Sequence, residues 1–154
     1  MPLSTIGYEG SEITDFVSVL KHARVQHLID VRDFPSSRKH GFSKNLLRSY
    51  LEHEGIAYSH MKELGDPRAG RLAAREGDIP RFERIFRSHI DTAVAKAALH
   101  TISKEALRTN VCLMCFERNH QNCHRSILCE EILKVQPMDV MNLGVPKGFA
   151  LKAA

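Results

Sequence analysis

At 154 residues, 43% hydrophobic and 26% charged, the chain has the length and composition of one ordinary globular domain, with enough surface to bury to fold without disulfides. No apolar stretch approaches the roughly 20 residues needed to cross a bilayer, and the first residues lack a basic region leading into an apolar core, so no membrane partner is expected. The formal charge of +4 is modest but uneven, with seven Lys or Arg against five acids over residues 62–87, a balance that fits either an anionic partner or a solvated face of ordinary ion pairs.

Residues 3–6 read as a first strand, followed by a turn at Gly7-Tyr8-Glu9-Gly10 and by Ser11 as the N-cap of a helix running to about Arg24. Ile13, Phe16, Val17 and Leu20 give that helix an inward stripe at spacings of three and four. Residues 27–31 form a second strand. Ser43 caps a helix through His53, with Leu46, Leu47, Tyr50 and Leu51 inward and Gly55 ending it. Residues 56–60 are a third strand. The polar segment 61–79, broken by Gly65, Pro67, Gly70 and Gly77, is too long for a simple connector and reads as a lid or a locally folded excursion.

Pro80 suits the first turn of a helix striped by Phe82, Ile85 and Phe86, and residues 91–107 form another. The apolar run Val111-Cys112-Leu113-Met114 reads as a buried strand. An amphipathic helix follows from Ser126 until Pro137 stops it, then a last strand over residues 139–143. Residues 144–154 read as a peripheral tail. Alternating strands and helices predict a single α/β domain: a three-layer α/β/α sandwich of Rossmann-like type around a mostly parallel sheet of about five strands.

Between the fourth strand and its helix, the eleven residues from Cys115 to Arg125 hold two thiols, two imidazoles, a carboxylate and two guanidiniums. A strand-to-helix turn is where α/β sheets bind ligands. Cys123 falls at the first turn of its helix, where free amides and the dipole favour a thiolate, with His124 and Arg125 adding to the effect. Cys112 and Cys115 spell Cys-x-x-Cys, but residues three apart on a strand point to opposite faces, so Cys112 is assigned to the core. Helix phase puts Cys129 there too. No metal ligand set is assigned. A site of Cys115, Cys123 and His124, and a reversible Cys115–Cys123 disulfide, are both left open.

Asp30 and Arg32 end the second strand at the same sheet edge. Arg32, Ser36, Ser37 and Arg38 form a loop with forked cations and hydroxyls suited to phosphate or carboxylate, the competing role being internal bracing by an Asp30–Arg32 pair. Glu9, Glu117, Tyr8, Tyr58 and His60 are candidate acids or bases, with Glu117 first because it stands two residues beyond Cys115. The site expected from these residues has Cys123, Glu117 and Cys115 as reactive groups, with Asp30, Arg32, Ser37, Arg38, Tyr8, Tyr58, His124 and Arg125 around the substrate.

The ordered set Thr5-Ile6-Gly7-Tyr8-Glu9, Asp30 through Arg38, Gly55-Ile56-Ala57-Tyr58, Glu63-Leu64-Gly65, Cys115-Phe116-Glu117 and Cys123-His124-Arg125 resembles the domain-of-unknown-function 488 family, over about residues 3–143. The resemblance implies a small α/β protein of a kind widespread in bacteria, its motif residues gathered on one side of the sheet, and it supplies no reaction. Residues 29–32 also resemble the strand that opens rhodanese domains. There the cysteine loop follows its strand directly and closes sooner, so a sulfurtransferase is a distant analogy.

The leading expectation is an enzyme acting on a phosphate-bearing substrate, a nucleotide or nucleic acid among them. The alternatives are a non-catalytic nucleotide or nucleic-acid binding module and a thiol-redox, sulfurtransferase-like or metal-binding protein. A cytoplasmic location with reduced thiols is expected. No cofactor and no oligomeric state is legible.

Overall fold

The computed structural model describes residues 3–153. Five strands, β1 (Leu3–Gly7), β2 (His27–Asp30), β3 (Ala57–His60), β4 (Val111–Cys115) and β5 (Val140–Leu143), form one all-parallel sheet in the order β3-β2-β4-β1-β5. Of the three inner strands, β1 and β4 are buried along their whole length, which is why 111–114 is apolar without alternation. The register aligns Gly7 with Cys115 and Asp30 with Met114. Three strands therefore end level beside one another.

Helices cover both faces. The chain moves from β1 to β2 to β3 in one direction through α1 (Ile13–His22) and α2 (Lys44–His53). It then returns through α3 (Arg68–Arg75), α4 (Ile79–Ile90) and α5 (Ala93–Ala106) to β4, and through α6 (His124–Val135) to β5. Right-handed crossovers send opposite directions of travel to opposite faces. Ile6, Leu28, Cys112 and Met114 accordingly pack with Phe16, Leu20, Leu47 and Leu51, while Leu3, Ile29, Leu113 and Cys115 pack with Phe86, Leu99, Ile102 and Leu128. Cys112 and Cys115 lie in different cores, as strand parity requires.

Two local features differ from the sequence reading, and a third decides between alternatives it left open. Glu12, not Ser11, holds the N-cap position of α1; the Ser11 N–H is drawn back to the Tyr8 carbonyl at 2.9 Å, which keeps Ser11 in the preceding turn. Segment 61–79 is folded, with a 3-10 turn over Lys62–Leu64 and then α3, whose small Gly70 and Ala73 face inward. The closing segment carries α7 (Phe149–Ala153) against α1, held by Asp15, whose carboxylate accepts the Gly148 and Ala150 N–H groups at 2.9 Å each. Among the described residues no helix is long and apolar enough to cross a membrane.

Candidate functional site

Strand β4 sends its chain to one face of the sheet, while its neighbours β1 and β2 send theirs to the other. Such a reversal opens a crevice at the carboxyl ends of the strands. Two adjoining cavities of about 360 and 400 Å³ occupy it, sharing Asp66, Arg71, Arg75, Phe116, Glu117 and His124. The floor is tight because glycines let loops cross: a Cβ on Gly7 would overlap the Glu117 carbonyl, and one on Gly65 the Asp33 backbone.

Two thiols and an imidazole meet at the base of the crevice. Cys115 is the last residue of β4, and Cys123 is the N-cap of α6, its Sγ accepting the Arg125 N–H at 3.5 Å. Their sulfurs are close enough to pair as the disulfide that the sequence left open, with the Cα atoms 7.8 Å apart. His124 Nε2 lies 2.7 Å from the Val31 carbonyl oxygen. A carbonyl only accepts, so Nε2 carries the proton and Nδ1 turns its lone pair toward Cys123 Sγ, 3.4 Å away. Burial pushes the His124 pKa down to about 4, leaving a neutral ring at ordinary pH. As a free thiol, Cys115 donates to Glu117 Oε2 at 3.3 Å. Cys112 and Cys129 sit in the cores, where burial raises both thiols, Cys129 to about 12.

Asp30 forms the hub of a closed network beneath the cleft. Its carboxylate accepts Arg32 Nε at 2.9 Å, Arg32 Nη2 at 2.7 Å, the Arg32 backbone N–H at 3.1 Å and the Tyr58 hydroxyl at 2.6 Å. The remaining Arg32 nitrogen donates to Tyr8 Oη at 3.2 Å. Burial and the Asp30 charge raise the Tyr58 pKa, so it stays a donor. Tyr8 and Arg32 still line the second cavity, while Asp30 and Tyr58 support them from below. His60 donates to the Arg32 carbonyl at 2.7 Å and fixes the loop from the other side.

Arg125 points inward, 1% exposed. It donates to Thr5 Oγ1 at 3.0 Å and to the Glu117 carbonyl at 2.6 Å, and so holds the turn that presents Glu117. Ser37 is tied to Ser43 at the start of α2, each accepting a bond of 3.1 Å from the other. Arg38 is exposed, and neither it nor Ser37 lines the two cavities. Of the expected site residues, the cleft thus gathers Tyr8, Arg32, Cys115, Glu117, Cys123 and His124.

Sequence reasoning missed the opposite wall, built by the 61–79 segment. Arg71 donates to Asp33 Oδ2 at 3.0 Å and to the Asp66 carbonyl at 2.7 Å, and Arg75 stands one turn further along α3. Asp66 is buried, with its Oδ1 lacking a hydrogen-bond partner among the described residues. Burial raises its pKa to about 7, Arg71 opposing and Glu117 and Asp33 reinforcing the shift. Glu117 is also raised by burial. The signal that would have found this wall is the spacing of Arg68, Arg71 and Arg75, three and four residues apart on one helical face.

No curated protein and no solved structure matches the chain. The model of a family described as domain of unknown function DUF488 matches residues 12–132, a span holding β2, β3, β4, the α3 wall and the whole Cys115 to Arg125 turn, though not Thr5 to Glu9. With most of its length matched, the chain belongs to the DUF488 family.

Proposed function

We propose that the chain is an enzyme acting on a nucleotide or a similar phosphate-bearing substrate in the strand-end cleft. The observation that carries this reading is that cations, carboxyls and a thiol–imidazole centre line one crevice. Arg71 and Arg75 bring forked donors suited to phosphate oxygens, with Arg32 at the far side. They take the anion-binding role expected of Arg38 and Arg125. Phe34 and Phe116, 71% and 46% exposed, flank the second cavity and offer faces on which a base can stack. A site for inert anion binding has no need of buried carboxyls, yet Asp66, raised to about 7, exchanges its proton near neutral pH and stands in the same cleft as Glu117. In this proposal Glu117 moves the proton, Cys123 is the nucleophile whose thiol faces His124 Nδ1 at 3.4 Å, and Asp30, Tyr58 and Arg125 position the others.

Thermal-shift titration with inorganic phosphate and with nucleoside mono-, di- and triphosphates, followed by product analysis, tests the reading. Arg71→Ala and Arg75→Ala are each expected to weaken binding about tenfold, about 1.4 kcal/mol. Glu117→Gln and Cys123→Ser are expected to remove turnover and leave binding within a fewfold. Binding that falls steeply with salt but never yields product would reduce the protein to a binding module. A folded chain that no phosphate compound stabilises would overturn the reading altogether.

A further inference from the structure

We propose that Cys115, Cys123 and His124 form a site for one thiophilic transition-metal ion, Zn²⁺ in the first place, with its fourth coordination position open to the cleft. Cys115 Sγ, Cys123 Sγ and a His124 ring nitrogen all lie within 4.8 Å of one another. Two sulfurs and one imidazole nitrogen, with a position left free, are a donor set that zinc enzymes use. The inference stands on these three donors and needs nothing of the phosphate reading.

Three further observations favour an ion. The His124 ring is already oriented as a ligand: its Nε2–H is fastened to the Val31 carbonyl at 2.7 Å, the outer bond that metal-binding histidines make, which leaves Nδ1 as the free donor. The sulfurs of Cys115 and Cys123 converge while their Cα atoms stay 7.8 Å apart, wider than the span of about 4.4–6.8 Å usual for disulfides. That spread suits two ligands of one ion, since side-chain rotation alone can part the sulfurs to the roughly 3.8 Å that two Zn–S bonds of about 2.3 Å impose. All three residues are buried and yet line the cavities, so the cleft is the face from which a water or substrate atom completes the coordination.

Binding releases the two thiol protons, and the neutral imidazole gives its lone pair without losing one. Glu117 Oε2, 3.3 Å from Cys115 Sγ, is placed to take the first of those protons.

The test is elemental analysis of the full chain purified without chelator from zinc-supplemented cells, together with cobalt replacement read as a thiolate-to-cobalt charge-transfer band. About one ion per chain is expected, falling well below that in Cys115→Ser, Cys123→Ser and His124→Gln and unchanged in Cys112→Ala and Cys129→Ala. If the ligand variants do not fold, the cobalt band of the unaltered chain still reports sulfur ligation directly. A folded chain that takes up neither zinc nor cobalt overturns the proposal, whether it shows four free thiols or a disulfide. So does a stoichiometry that all three ligand variants keep. Zinc bound without any nucleotide effect would leave this site standing and defeat the phosphate reading; turnover that survives stripping a chain shown to bind no ion would do the reverse.

Discussion

Asp66 stands 6% exposed at the start of the α3 wall, with its Oδ1 pressed toward the place where a side chain on Gly70 would begin. Its folded pKa is raised from 3.8 to about 7, so between those values the folded chain keeps a proton that the unfolded chain releases. Stability from this group therefore falls as pH rises from about 4 to about 7 and is level above. Asp66→Asn should flatten that slope, raising the melting temperature over the unaltered chain at pH 8 and leaving it unchanged near pH 4; an equal shift at both values would show that the carboxyl titrates normally. Tyr58 presents the opposite case, because its hydroxyl donates to the buried Asp30 carboxylate at 2.6 Å. Tyr58→Phe removes one of several donors to that charge and should cost about 1.5–3 kcal/mol, measured as a lower denaturant midpoint. An Asp30–Arg32 pair was legible at that strand end, as the competing role to anion binding by Arg32. Arg125 was not legible as an inward brace, because its partners, Thr5 Oγ1 and the Glu117 carbonyl, are supplied by other elements.

The elements that periodicity located are those with an apolar stripe. Helices α1, α2, α4, α5 and α6 each bury a face of Leu, Ile, Val, Phe or Ala, and the observed ends differ from the sequence reading by a few residues at most. Helix α3 escaped because its inward residues include only Gly70 and Ala73, flanked by glycines and a proline that read as breakers. Helix α7 escaped because five residues carry too little pattern. What holds α7 is remote in sequence: two backbone N–H groups on the Asp15 carboxylate and Phe149 edge-on to His22 at 5.6 Å. Asp15→Ala should therefore free α7 before the rest of the chain. Limited proteolysis should cut near residue 148, and the loss of two charge-assisted bonds should lower unfolding free energy by about 3 kcal/mol or more. A variant as protease-resistant as the unaltered chain would show that apolar contact alone seats the helix.

At the scale of the molecule, the site exists because of strand order. The sequence by itself determined the alternation of strands and helices, and with it a parallel sheet covered on both faces. It also determined that Cys112 and Cys115 part company, because side-chain alternation on a strand is a local property of the backbone. Strand order is not local. Placing β4 between β1 and β2 brings Cys115 and Glu117 beside Tyr8 and Arg32, and the return of the chain over the second face lays α3 across the opening with Arg71 and Arg75. Only the tertiary structure decided which charges face the cleft and which lie behind it: Arg125 and Asp30 lie outside the cavity lining, while Asp66 and Arg71 line both cavities. Charge and spacing can be read along a chain. The direction a side chain points at a sheet edge depends on which neighbours the crossovers deliver, and those neighbours lie as far apart in the chain as Thr5 and Arg125, 120 residues.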